Sequence, residues 1–241
     1  MPTLLMQCVA PLQSWGTQSN FSVRDTGREP SKSGIIGLLC AALGRPRTVP
    51  LDDLSALAMG IRVDREGQIL RDFHTAGQGG KRKGFLKADG KGIDSGTIVS
   101  NRYYLTDAMF LVGLSGNVQL LQTIQGALAN PRWMLFLGRK ACPPARPVYL
   151  PDGLRHKPLL EALIEYPWLG KDPNEHARLT SLRLVLEAGT IQGEESPNIK
   201  QETPLSFVKG TRRFAQRRSQ TIFLNELPAF RAPFCRTEED L

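Results

Sequence analysis

One short stretch carries the strongest structural signal in this 241-residue chain: Ser31-Lys32-Ser33-Gly34-Ile35-Ile36-Gly37-Leu38-Leu39-Cys40-Ala41-Ala42-Leu43-Gly44. Serine is a favoured residue at a helix start, and Gly44 followed by Pro46 is typical of a helix end. Apolar residues nearly encircle the predicted helix, which favours its burial against a sheet. Gly34 and Gly37 allow close packing there, at a cost in helix propensity.

The segments on either side of this helix predict an α+β fold. We predict strands at 3–9, 61–64, 68–74, 102–114 and 133–137, and helices at 51–59 and 117–129, with 61–64 and 68–74 forming a hairpin. Taken with the helix at 31–44, these elements contain the order β-α-β-β-α-β of the ferredoxin-like or RRM fold, with one further helix and one further strand. Residues 1–144 are therefore expected to form one RRM-like domain.

Two further regions complete the expected organisation. Residues 75–101 form a long, glycine-rich insertion, and loops of that length inside a compact domain are usually functional or disordered. Residues 145–241 are expected to form a small C-terminal portion, mostly strands and loops, with one helix at 159–166 and one strand at 180–187.

The positive charge of the chain is concentrated in two clusters. The formal net charge is +8, from 31 cations and 23 acids. The first cluster, within 79–91, contains Lys81, Arg82 and Lys83, and the second, within 209–218, contains Lys209, Arg212, Arg213, Arg217 and Arg218. Clustered cations favour binding to a polyphosphate such as RNA. Two solvated loops that keep the protein soluble are the alternative interpretation.

Several functional classes are not indicated by the sequence. No apolar run is long enough to span a bilayer, and the first residues lack the pattern of a signal peptide, so no membrane association is expected. The four cysteines have no metal-ligand or disulfide spacing, which favours a reducing, cytoplasmic location. Nucleotide-binding and hydrolase motifs are missing, and neither a metal nor another cofactor is expected.

His74 is the most notable of the three histidines, because it directly precedes the insertion and Tyr103 and Tyr104 follow it. A histidine near a tyrosine and a lysine can catalyse metal-independent RNA cleavage by acid–base chemistry. Alternatively, His74 stacks on a base or hydrogen-bonds to the backbone.

A second candidate site combines the loop Gln13-Ser14-Trp15-Gly16 with the helix start at Ser31, Lys32 and Ser33. The free N–H groups of a helix start accept a phosphate, although simple N-capping explains the serines equally well. Trp15 is either a core residue or a platform for a base. Arg139 and Lys140 follow Gly138 in a basic turn that can line a nucleic-acid-binding face.

Six segments resemble the Cas-five family of RAMP proteins, as found in the Cascade complexes of type I-E CRISPR systems. The most specific is Ala10-Pro11-Leu12-Gln13-Ser14-Trp15-Gly16, followed by Arg28-Glu29-Pro30-Ser31-Lys32-Ser33-Gly34-Ile35-Ile36-Gly37-Leu38-Leu39. Asp72-Phe73-His74-Thr75 and Arg102-Tyr103-Tyr104-Leu105-Thr106-Asp107-Ala108 are similar to the boundaries of the family's thumb. Leu137-Gly138-Arg139-Lys140-Ala141-Cys142-Pro143 and Arg213-Phe214-Ala215-Gln216-Arg217 are similar to its glycine-containing turn and C-terminal segment.

This resemblance implies an RRM-like domain with a β-hairpin thumb, which binds the 5′ handle of CRISPR RNA without cleaving it. It also implies that the chain caps the backbone filament of CasC subunits, meets the large subunit CasA and acts only indirectly on target DNA. The implied RNA contacts are Gln13, Ser14, Trp15, Gly16, Arg28, Ser31, Lys32, Ser33, His74, Lys81, Arg82, Lys83, Arg102, Arg139 and Lys140. The cluster at 209–218 remains open between RNA, DNA and protein contact.

Two alternative functions remain at this stage. Related type I-C members of the family process CRISPR repeat RNA as endoribonucleases, so His74 gives this chain a catalytic alternative. A general single-strand binder without preference for repeat RNA is the other.

Overall fold

The computed structural model describes residues 1–16, 22–77, 85–86, 93–94, 97–188 and 198–230. Its strands are β1 (Thr3–Val9), β2 (Leu12–Gln13), β3 (Val23–Arg24), β4 (Ala58–Arg65), β5 (Gln68–Ala76), β6 (Phe85–Leu86), β7 (Ile93–Asp94), β8 (Ile98–Thr106), β9 (Met109–Ser115), β10 (Tyr149–Arg155), β11 (Leu182–Glu187), β12 (Asn198–Ser206) and β13 (Arg213–Leu224). Its helices are α1 (Lys32–Leu43), α2 (Asp52–Ser55), α3 (Val118–Ala129), α4 (Leu159–Glu165) and α5 (Pro173–Ala177).

A seven-stranded antiparallel sheet with the order β10-β1-β9-β4-β11-β13-β12 forms the centre of the fold. Helices α1 and α3 cover one face, and α4 covers the other. Alternate residues of β1 enter the two cores, with Leu4 and Met6 on the α1 side and Leu5 on the α4 side. Because both faces are covered, β9 at the centre of the sheet is buried and apolar along nearly its whole length.

A second sheet is built around β8. It pairs antiparallel with β5 over nine residues, from Thr106 opposite Gln68 to Ile98 opposite Ala76. On its other side β8 pairs with β2 and, in parallel, with β3. Strands β6 and β7, which lie between β5 and β8 in the chain, pair with each other.

The local capping signals predicted α1 and α3 correctly. The Oγ of Ser31 accepts a hydrogen bond from the N–H of Gly34 at 3.3 Å, and α1 ends at Gly44, whose φ is 69°. The Asn117 side chain caps α3 in the same way, by accepting from Leu120 N–H at 3.1 Å. The mixed α+β fold with antiparallel sheets is confirmed.

Three of the predicted strand assignments are wrong. The predicted hairpin at 61–74 does not form, because β4 pairs with β9 and β11 whereas β5 pairs with β8. The single strand predicted at 102–114 is two strands in different sheets, separated by a turn at Asp107 with φ of 56°. Residues 133–137 are not a strand, and β10 is the strand that pairs with the outer side of β1. The helix predicted at 51–59 is shortened to α2, because β4 begins at Ala58.

No helix in the described part of the chain is long and apolar enough to cross a membrane.

Glu29 provides a pH-dependent link between the loop before α1 and the larger sheet. Its carboxylate accepts hydrogen bonds from Arg183 on β11, at 2.9 Å, and from Lys200 on β12. Burial raises the pKa of Glu29, but the bonds from Lys200 and Arg183 outweigh burial and hold the pKa below its ordinary value.

We therefore expect Glu29 to stabilise the protein at neutral pH and to lose this effect in acid. Because the folded-state pKa is lowered, the contribution is complete above the unfolded-state pKa of about 4.3 and is lost as the pH falls through the folded-state value. Urea unfolding at several pH values between about 7 and 3 should show the stability gap between wild type and Glu29→Gln narrowing with acid. Glu161→Gln, at an exposed position of α4, is the matched control. A gap independent of pH would contradict the assignment.

Candidate nucleic-acid interface

The loop at 13–15 is an internal support rather than an exposed contact. Gln13 is buried, and its Nε2 donates to the carbonyls of Cys8, at 3.1 Å, and Ala108, at 2.7 Å. Its Oε1 accepts a hydrogen bond from Trp15 Nε1 at 3.1 Å, and the Trp15 ring is buried against Gly34. RNA contacts through the side chains of Gln13 and Trp15 are thus not supported, because these groups are already used inside the protein.

Ser14 differs from its two buried neighbours. Its backbone N–H donates to the carbonyl of Leu137 at 3.0 Å, which joins the loop to the turn at 138–142. Its side chain is 3% exposed, and its Oγ has no hydrogen-bond partner among the described residues. A buried hydroxyl without a partner is costly, so it needs an explanation such as a ligand.

The three residues at the start of α1 have different environments. Ser31 and Ser33 lie with their hydroxyls 3.4 Å apart, and Ser31 caps the helix. Lys32 is 4% exposed, and its Nζ donates to Glu187 at 2.9 Å. Lys32 is thus used in a buried ion pair between α1 and β11, which does not support its predicted RNA contact.

Arg139 fastens the basic turn to the second sheet. Its guanidinium donates to the carbonyl of Tyr103 at 2.8 Å and to those of Arg24 and Asp25 at 2.8 and 2.9 Å. It also lies over the Tyr104 ring, 4.9 Å from the centroid. These bonds make Arg139 a positioning residue for the turn, while neighbouring Lys140 is exposed.

Two adjoining cavities lie beside the exposed side of α1. The start pocket, of about 280 Å³, is lined by Ser14, Trp15, Gly16, Ser31, Ser33, Gly34, Gly138, Arg139, Phe207, Arg212 and Phe214. The α1 groove, of about 600 Å³, continues along the helix and shares Ser33, Gly34, Gly138, Phe207 and Arg212 with it. The structure thus brings together the loop, the helix start, the basic turn and one cation of the second cluster.

The family of the chain follows from comparison with known proteins. The family model described as CRISPR-associated protein (Cas_Cas5) matches residues 3–220. The chain belongs to this family. It is 32% identical over 200 residues to CRISPR system Cascade subunit CasD of Escherichia coli (strain K12), an alignment that covers 77% of this chain and 86% of CasD.

Two solved structures are similar to this Cas5-family chain over nearly its whole length. A structure titled "Crystal structure of Cas protein" is 41% identical, with a TM-score of 0.71, covering 94% of this chain and 98% of the other. A chain from a structure titled "CRISPR RNA-guided surveillance complex" is 35% identical, with a TM-score of 0.76, covering 94% and 91%.

In this Cas5-family chain, His74 and Arg102 belong to the β5–β8 pair and do not line either cavity. His74 is half-buried, and its Nδ1 lies 3.4 Å from the Asp72 carboxylate. Arg102, opposite Asp72 in the register, donates to Ser100 at 3.2 Å. His74 is opposite Ser100 in the register, and Tyr104 lies four residues farther along β8, at a distance of about 13 Å. Tyr104 is also buried, so it does not form a catalytic pair with His74.

The second basic cluster of the Cas5-family chain divides into one buried and four exposed cations. Arg217 is 3% exposed and donates to Glu202 at 2.5 Å and to the Met59 carbonyl at 3.2 Å. These internal bonds do not support its predicted nucleic-acid or partner contact. The exposed members are Lys209, Arg212, Arg213 and Arg218. Arg212 is the member that lines both cavities.

Sequence reasoning missed several residues of the α1 groove. Arg45 and Arg47 line its far end, and Trp133, Met134 and Phe207 contribute large apolar side chains. The pair of arginines just after the helix end was an available signal. The sequence contained no signal for the exposure of Trp133, because its pattern at 133–137 predicted a strand.

The remaining candidates are Arg28, which is exposed, and Lys81, Arg82 and Lys83, which lie outside the described residues. Within the described ranges, no group of three His, Cys, Asp or Glu side chains is arranged to hold a metal ion.

Proposed function

We propose that this chain is a non-catalytic CRISPR RNA-binding subunit of a type I-E Cascade surveillance complex, acting in antiviral defence in the cytoplasm. It holds the 5′ handle of the CRISPR RNA, caps the filament of CasC subunits and meets the large subunit CasA. The proposal depends on one observation: likeness to CasD, and to a chain of an RNA-guided surveillance complex, extends over most of the molecule.

The arrangement of the larger sheet supports an RRM-like interpretation of the first half. Strands β10, β1, β9 and β4 lie side by side, and helices α1 and α3 connect them in the chain. If β1, β4, β9 and β10 are numbered 1 to 4 in chain order, their order in the sheet is 4-1-3-2, which is the order of a ferredoxin-like βαββαβ unit. The division of the chain into an RRM-like domain at 1–144 and a C-terminal portion at 145–241 stays a prediction. In this division β10, although it pairs with β1, belongs to the C-terminal portion.

The β5–β8 pair is the proposed base of the thumb. It lies between β4 and β9 in the chain, and its exposed side chains include Phe73, Ile69 and Val99. These side chains share one face of the pair with the exposed cation Arg71, whereas Arg102 is on the opposite face. Aromatic and apolar groups beside a cation suit single-stranded RNA, which is bound by stacking and by charge. Contacts from Lys81, Arg82 and Lys83 farther along the thumb stay part of the proposal.

The alternative function, cleavage of repeat RNA, predicts a different outcome in a simple assay. We expect purified wild-type chain and His74→Ala both to bind repeat-derived RNA and to leave it intact without metal. His74 lies beside the Asp72 carboxylate and has no tyrosine beside it among the described residues, so the described part of the chain does not assemble the histidine–tyrosine pair expected for acid–base cleavage.

The RNA for this assay is the species that co-purifies with the complex from its host, identified by sequencing and then synthesised with a label. Denaturing gels measure cleavage, and native gels measure binding to the chain and to CasC. Specific cleavage by wild type that His74→Ala abolishes would assign the endoribonuclease function. Binding with no preference for this RNA over a scrambled one would assign a general single-strand binder.

A further inference from the structure

Gly37, in the middle of α1, has no packing reason to be glycine within the described residues. A Cβ added at Gly37 would meet only Phe207 Cζ, at 4.0 Å, which is an ordinary contact. By contrast, a Cβ at Gly34 would lie 2.9 Å from Trp15 Cε3. Glycine inside a helix is less stable than alanine, so the absent side chain at Gly37 suggests that something outside the fold approaches the helix.

The surface in front of Gly37 has a defined chemical character. Gly37 lies in the α1 groove, whose walls include Phe207 and the 49%-exposed Trp133. Every charged residue among those lining the groove is a cation: Arg45, Arg47, Lys140 and Arg212. An occupant with one flat apolar part and one anionic part matches this surface.

The start pocket combines features that favour an anion at one end of the groove. The N–H groups of the first turn of α1 carry partial positive charge, and Arg212 lines the same pocket. Independently of the helix, Ser14 presents a buried Oγ that has no partner among the described residues. A phosphate oxygen at this position satisfies the hydroxyl and is attracted by both positive groups.

We propose that the α1 groove holds one nucleotide of the bound RNA, with its phosphate in the start pocket and its base over Gly37 against Trp133. This inference rests on the proposed function and assigns a strand-binding site separate from the β5–β8 pair. It also gives Arg212 a role that its neighbour Arg213 does not share, because Arg213 lines neither cavity.

Gly37→Ala is the decisive variant. The new methyl group improves helix propensity, so Tm should rise by about 1–4 °C. The same methyl occupies the floor of the groove, so the affinity for the handle RNA should fall by about tenfold. Gly126→Ala is the matched control, because Gly126 lies inside α3, is exposed and has nothing within 4 Å of an added Cβ. It should raise Tm similarly and leave affinity unchanged.

Two further measurements locate the phosphate and the base. Ser14→Ala removes a hydroxyl without a partner, so Tm should not fall while RNA affinity does. Arg212→Gln should weaken binding more than Arg213→Gln. Of the three tryptophans, Trp15 and Trp168 are buried and Trp133 is exposed. Bound RNA should therefore quench the fluorescence of Trp133, and this quenching should be absent in Trp133→Leu.

The outcomes separate this inference from the proposed function. If the wild-type chain binds the RNA and the Gly37→Ala and Ser14→Ala variants bind it equally well, the groove assignment is overturned. The proposed function as an RNA-binding subunit would not be affected by that result. Failure of wild type to bind the RNA at all would overturn the proposed function. Normal RNA affinity combined with lost assembly with CasA or CasC would assign the groove to a protein partner and overturn the inference.

Discussion

Asp64→Ala is expected to lower the free energy of unfolding by about 3–5 kcal/mol, because it leaves a buried guanidinium without its counter-ion. Arg62 and Asp64 lie two residues apart on β4 and are both fully buried. The Arg62 Nε and Nη2 donate to the Asp64 carboxylate at 2.6 and 2.9 Å. The carboxylate also accepts from Leu169 N–H at 2.7 Å, so this bond is lost as well.

The same pair holds the end of α4 and the residues after it against the sheet. Arg62 donates to the carbonyls of Leu163 and Tyr166, both at 2.5 Å, and to that of Pro167 at 2.9 Å. Loss of Asp64 is therefore expected to loosen the segment at 163–169 first. Hydrogen exchange should show reduced protection there before the rest of the sheet.

Urea unfolding measures the predicted loss, with Asp53→Ala as the control. Asp53 forms an exposed ion pair with Arg45, so its removal should cost less than about 1 kcal/mol. If Asp64→Ala does not fold, the double variant Arg62→Met with Asp64→Leu keeps the prediction testable, because an apolar pair of similar volume should recover much of the stability. A loss below about 1 kcal/mol for Asp64→Ala would show that the pair is not needed.

Gly138→Ala is expected to disrupt the start pocket and to cost about 2–5 kcal/mol of stability. Gly138 has a φ of 96°, a conformation that favours glycine, and an added Cβ would lie 1.7 Å from the Ser14 carbonyl oxygen. Backbone atoms cannot rotate out of the way, so the turn and the loop must separate. Since both line the start pocket, RNA affinity should fall together with stability.

Gly210→Ala distinguishes steric collision from backbone strain. Gly210 also has a positive φ, of 85°, but an added Cβ meets nothing within 4 Å. This variant should lose only the roughly 1–2 kcal/mol that the left-handed conformation costs. Thermal unfolding and RNA titration of the two variants side by side provide the measurement. Equal effects of Gly138→Ala and Gly210→Ala would contradict the close approach to Ser14.

Local signals in the sequence were sufficient to predict α1 and α3. The caps of α1 and α3 involve residues three positions apart, so they are visible without knowledge of the fold. Strand partners were harder to predict. The run at 102–114 has no glycine or proline before Gly113, and aspartate tolerates the left-handed turn at Asp107, so nothing marked the change of sheet.

The candidate site was predicted in part. Ser14, Ser31, Ser33, Lys140 and Arg212 were singled out from the sequence, and all five line one or both of the cavities beside α1. Trp133 was not, because an exposed tryptophan and a buried one look alike in a sequence.

The sequence by itself determined the family, the α+β composition, the capped helix at 31–44 and the uneven distribution of positive charge. Only the tertiary structure decided which cations are available to a ligand. Lys32 meets Glu187 across 155 positions and Arg217 meets Glu202 across a strand pair, whereas Arg212 remains exposed at the groove. The reason is physical: a cap depends on neighbours in the chain, but the burial and pairing of a charge depend on residues that only folding brings together.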